Sequence, residues 1–252
     1  MHDDSPSEES LIAAAHAVLS RSVSSDRRDR HENPDDPSTV QAMQIALHLP
    51  KQDPPDRNAV LVAAAQAVVG VCLAPQAGQD GPWRDGLTSW YSHLIRKVAR
   101  RGRNKAWDDV QEFPGVTASV RGAQVRAFVP SAVSEVPAPI KKLQIHGTDL
   151  PASKTTALEP RVPTIAVDAA LNMTVGKAAA QVGHASMLWA AQLSTSQAVS
   201  WALTGFPLNV VECSGEAFVQ AARTPGALCV RDAGFTEIAA DSVTAAIFRR
   251  II

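Results

Sequence analysis

The 252-residue chain has little cysteine: Cys72, Cys213 and Cys229 are odd in number, each sits in an apolar run, and no C-x-x-C or paired-histidine spacing accompanies them. That pattern argues against a disulfide framework or a zinc site and leaves buried thiols of a reducing compartment. No metal and no cofactor are expected. No apolar run approaches the roughly 20 residues needed to cross a bilayer. The N-terminus is acidic and Ser-rich rather than basic and then apolar, so neither a membrane span nor a secretory signal is expected. With 45% hydrophobic and 19% charged residues, the chain reads as a soluble globular protein of the cytosol.

Net charge is also low, at −1, but it is unevenly placed. Residues 1–40 carry nine acids and four arginines around the short apolar stretch "LIAAAHAVL", as expected of a mobile leader with one short helix. Residues 41–150 hold thirteen Lys and Arg against nine acids, six of those cations within "RKVARRGRNK" at 96–105. Residues 161–252 balance at six against six. Between them "GTDLPASKTTALEPRVP" is rich in Pro, Ser and Thr. The expected organisation is a leader (1–40), a first unit (41–150), a linker (151–160) and a second unit (161–252).

The second unit alternates strand and helix signals. "TIAVD", "LNVVEC", "ALCVRD" and "VTAAIF" are short apolar runs suited to strands, while a helical pattern starts near Val175 and "GEAFVQAAR" is a short amphipathic helix. A layered α/β domain with a small, mixed, mostly parallel sheet is expected. The loop after the first strand leads into "VGKAAAQVGHA", placing Lys177 in the first turn of a helix. Unpaired N–H groups there disfavour a cation by roughly 0.3 to 1 kcal/mol, so this lysine suggests a purpose other than helix stability. Lys177, Gln181 and His184 share one helical face, which is either a site or a solvated surface. A nucleotide-binding loop is a poor fit, because Gly176-Lys177 is followed by Ala178 rather than Ser or Thr. A second polar cluster, "RDAGFTE", follows the third strand; alone, it reads as an Asx turn closing a strand connection.

Together these segments resemble the type 2 peptidyl-tRNA hydrolase family. The resemblance rests on Met173, Gly176, Lys177, Ala179, Ala180, Gln181, His184 and Ala185, then on Asp232, Ala233, Gly234, Thr236, Ile238 and Ala239. It departs at Val175, where many members carry a second lysine, and at Ala170, where many carry an acid. The resemblance implies hydrolysis of the ester between peptide and tRNA, with peptidyl-tRNA as partner. It also implies that Asp232 orients or deprotonates water, that Lys177 stabilises the oxyanion or a nearby phosphate, and that Thr236 hydrogen-bonds around them. His184 either joins the catalytic group or is a packing residue. Gly176, Gln181 and Gly234 are expected on the substrate side. A non-catalytic RNA-binding module on the same fold is the alternative.

The first unit repeats the second. A shift of 111 residues puts Trp90 on Trp201, Trp107 on Phe218 and Pro114-Gly115 on Pro225-Gly226; a shift of 115 puts Gln66 on Gln181. In that register Val62 stands at Lys177, Val69 at His184, Arg121 at Asp232 and Val125 at Thr236, so the chemistry is gone from this copy. The expectation is an α/β protein of two similar units in a pseudo-dimer, a monomer with an internal pseudo-twofold. Arg96, Arg100, Arg101 and Arg103 are candidate contacts to RNA phosphates, the other reading being a solvated surface strand.

Overall fold

The computed structural model describes residues 6–24, 32–153, 157–232 and 239–249. Helix α1 (Glu8–Ser24) opens it. Ile12, Ala15 and Leu19 recur on one face at helical spacing, and all three are buried. The expectation of a mobile leader is therefore corrected for these residues. That face docks α1 on the rest of the chain, and Glu32 is tied down as well, accepting from Leu94 N (2.9 Å) and Arg96 Nε (2.8 Å).

The first unit continues with β1 (Gln41–His48), α2 (Arg57–Leu73), α3 (Pro82–Tyr91), β2 (Arg96–Gly102), α4 (Lys105–Asp109), β3 (Gly115–Val120), β4 (Ala123–Phe128), β5 (Ser131–Ala132) and α5 (Ala138–Lys142). The second unit has β6 (Pro163–Asp168), α6 (Val175–Gln192), α7 (Thr195–Leu203), β7 (Asn209–Cys213), α8 (Glu216–Ala222), β8 (Leu228–Arg231) and β9 (Val243–Arg249). The two sheets have orders β2-β1-β4-β3, with β5 added to β1, and β7-β6-β9-β8. In each, the strand before the long helix pairs in parallel with the next strand, and a C-terminal hairpin lays its second strand antiparallel beside the first. The sheets are mixed, as expected, with helices against both. That hairpin makes antiparallel pairing predominate, which corrects the expected larger share of parallel pairs.

Local details repeat with the topology. Trp90 donates from Nε1 to the carbonyl of Arg96 (3.1 Å), and Trp201 does so to that of Pro207 (2.9 Å), each reaching six residues on. Asn104 and Gly215, the residues before α4 and α8, share an unusual backbone with φ of 47° and 58°. Trp107 and Phe218 then cover the outer faces of their sheets.

The inner faces meet in one core. Ile45 and Leu47 of β1, Ile165 and Val167 of β6, and the buried faces of α2 and α6 belong to a single apolar cluster. Helix α2 packs along α6, and a Cβ at Gly183 would lie 2.7 Å from a methyl of Val68, so the helices approach too closely there for a side chain. Ser186 Oγ, buried at the same contact, donates to the carbonyl of Ala65 (2.8 Å). Residues 57–78 are long and apolar enough to cross a membrane, contrary to the expectation that no run approaches that length. The segment is mostly buried inside the protein, which explains why α2 is apolar all round.

The helix caps correct the residue pairing between the units. Asp56 and Thr174 each accept a hydrogen bond from the N–H three residues on, that of Ala59 (3.0 Å) and of Lys177 (3.2 Å). Ala59 rather than Val62 thus stands at Lys177, and Gln66 rather than Val69 stands at His184. In the hairpins, Val120 pairs with Ala123 across the two-residue turn Arg121-Gly122 (φ 46° and 82°). Asp232 instead pairs across a long loop, donating to Ser242 O (2.9 Å) and accepting from Asp241 N (2.8 Å). Asp232 therefore matches Val120 rather than Arg121, and the chain between Asp232 and Asp241 is longer than the two-residue turn of the first unit. Val125 is a buried β4 residue opposite Leu47, as Ala245 is opposite Val167.

Candidate active site

The site grows from the end of β6. Asp168 closes a short turn by accepting from Ala170 N (3.0 Å), and Asn172 takes a left-handed conformation (φ 48°) that reverses the chain toward the helix. Thr174 then caps α6. From that start Lys177, Gln181 and His184 follow on one face, as expected, with His184 partly exposed.

Asp232 comes to this face from the end of β8. Its Oδ2 forms an ion pair with Lys177 Nζ and accepts from Gln181 Nε2 (2.8 Å). Asp232 is 5% exposed and the Lys177 side chain 14% exposed, so the pair lies largely out of water. The carboxylate offsets the field of the helix N-terminus acting on the lysine, and each charge makes burial of the other tolerable. Gln181 fixes the same carboxylate oxygen from a second direction. Chemically, this is a desolvated acid–base pair with a fixed orientation.

Gly176 is buried, and its N–H donates to Thr148 Oγ1 (3.3 Å). A Cβ at 176 would lie 2.8 Å from that oxygen, so the missing side chain makes room for the protein itself. Gly234 and Thr236 lie outside the described residues. A cavity of about 490 Å³ opens at the carboxyl ends of β6 and β7, where ligands of open α/β sheets commonly bind. Arg57, Asn58, Asp168, Asn172, Met173 and Glu212 line it. Among the described residues, no group of three His, Cys, Asp or Glu could hold a metal ion.

The basic run spans β2 and the start of α4 in the first unit, and its arginines are engaged there. Arg96 pairs with Glu32, and Arg100 donates to Gln44 Oε1 (2.7 Å) and to the carbonyl of Leu143 (3.1 Å). Arg101 donates to Gln144 and to the carbonyl of Gly147 (2.9 Å), and Arg103 to the carbonyl of Leu49. Arg100 and Arg101 thereby fasten the end of the first unit to its edge strand.

Sequence reasoning missed Thr148, Arg57 and Glu212. Arg57 donates from Nη2 to the carbonyl of Met173 (2.8 Å) and from Nε to both oxygens of Glu212 (2.9 and 3.0 Å). No local pattern marks these residues, because their partners lie far along the chain. Thr174 did carry a signal: a threonine just before a helical pattern is a standard N-cap.

The fold and this charged pair define a class: a mixed α/β domain with a buried Lys–Asp pair at the ends of its strands. Residues 162–249 match the family described as Peptidyl-tRNA hydrolase PTH2, which covers β6 through β9. The C-terminal part of the chain is thus similar to that family, and the match leaves the first unit outside it. No curated protein and no solved structure matches the chain.

Proposed function

We propose that the second unit hydrolyses the ester joining a peptide to tRNA in peptidyl-tRNA, recycling tRNA in the cytosol. The observation carrying this reading is the convergence of Lys177 Nζ and Gln181 Nε2 on one oxygen of buried Asp232, inside the segment that matches the family. In the reaction a water oxygen bonds to the ester carbonyl carbon and gives a proton to Asp232. Negative charge grows on the carbonyl oxygen beside the Lys177 ammonium, which stabilises it. The bond from that carbon to the ribose oxygen then breaks, the ribose oxygen takes the proton back, and free peptide and tRNA leave. His184 borders this group on the helix face.

The first unit is the inactive copy of a duplication. Its sheet has the same strand order, Ala59 replaces the lysine, and a two-residue turn replaces the loop after the aspartate. The chain acts as a monomer in which α2 and α6 pair about a pseudo-twofold, with one active site. The direct test incubates the purified chain with peptidyl-tRNA and follows free tRNA. Release by the wild type and its loss in Asp232→Asn supports the reading, and no release above buffer refutes it.

A further inference from the structure

We infer that the inactive unit completes the active site, with Arg57 as a positioning residue for Lys177; this rests on the hydrolase reading above. The segment to be held is the turn from Asn172 to Lys177. It leaves β6 through a left-handed residue and ends where the lysine must meet an aspartate on another strand. From within, Thr174 secures its end through the cap to Lys177 N, and Asn172 holds its start by donating to the carbonyls of Ala169 and Ala170. The first unit holds it from two sides.

On one side Arg57, 9% exposed, places its guanidinium between two pieces of the second unit. One edge grips Glu212 of β7 through both carboxylate oxygens, and Nη2 donates to the carbonyl of Met173, four residues before Lys177. A planar fork can do both at once, whereas an ammonium acts as a point charge. On the other side Thr148, 2% exposed, accepts the N–H of Gly176, next to Lys177. Thr148 is itself placed by the segment that Arg101 fastens at Gln144 and Gly147. Two of the groups that position the lysine's backbone, Arg57 and Thr148, therefore lie outside the family-matched segment. A displacement of about 1 Å at a catalytic group costs on the order of 100-fold in rate, so this hold is a catalytic requirement as well as a packing contact.

The test uses the full chain with Arg57→Met, and with Arg57→Met combined with Glu212→Met. The single variant leaves the partly buried Glu212 without its partner, so it loses stability for that reason alone. The double variant removes both charges, which restores Tm, but does not restore the bond to Met173. Two readouts are taken on it: steady-state hydrolysis of peptidyl-tRNA, and hydrogen exchange of the amides of residues 173–178. At wild-type Tm, kcat should fall by roughly 10-fold or more with KM within about 3-fold, since orientation and not binding is lost. Exchange should accelerate in 173–178 while the rest of α6 keeps its protection. Wild-type kcat and exchange in the double variant would overturn the inference. If the wild type itself releases no tRNA, the hydrolase reading falls separately, and unchanged exchange in 173–178 would still remove the positioning role.

Discussion

Lys177 stands where a helix N-terminus opposes a cation, and Asp232 answers that opposition through a shared oxygen with Gln181. Lys177→Met and Asp232→Asn should each slow hydrolysis on the order of 100-fold or more. Each should also lower Tm, because breaking one side of a buried pair commonly costs about 3–5 kcal/mol, and the two changes together should recover part of that stability. Activity retained in either single variant would remove the pair from the chemistry. A different residue reports on pH. His48 stacks on Trp107 with ring centroids 4.8 Å apart, and burial holds its pKa below the ordinary histidine value despite the pull of Asp108. The unfolded chain then takes the proton first. Stability is full above the ordinary value of about 6.5 and declines as pH falls through the lowered folded value. In urea melts between about pH 7 and 5, His48→Phe should flatten that decline, and an unaltered slope would contradict it. At this scale Lys177, Gln181 and Asp232 were legible as two motifs. Arg57 was not, because its partner Met173 lies 116 residues away.

At the scale of elements, every strand and helix expected of the second unit from its apolar periods is present, since a small buried sheet leaves those periods intact. The pairing of α2 with α6 was three residues out of register. Three residues are nearly one helical turn, so the slip keeps the same face, and alanine-rich sequence does not resist it; the caps at Asp56 and Thr174 do. The cations of β2 show what composition leaves open. Their charge fitted RNA phosphates, but their geometry serves carbonyls and side chains of the same chain. Arg100→Gln with Arg101→Gln should therefore lower Tm and speed proteolysis of residues 141–153. A loss of tRNA affinity with Tm and proteolysis unchanged would return these residues to RNA binding.

At the scale of the whole molecule, the inner faces of the two sheets share one core. Val175, Ala178, Ala179, Val182 and Ala185 of α6 belong to the same apolar cluster as α2, and α1 reaches the other end of α6, where His16 Nε2 lies 3.0 Å from the carbonyl of Ala190. A unit of this size buries limited apolar area, so residues 157–252 expressed alone should self-associate or aggregate in sedimentation experiments, and a stable monomer would contradict the shared core. The most direct measurement is single-turnover release of free tRNA from peptidyl-tRNA by the intact chain, run beside Asp232→Asn with the folded state of both checked by thermal melt. The account expects release by the wild type and a rate lower on the order of 100-fold or more in the variant. No release by the folded wild type, or equal rates in the two proteins, would contradict it.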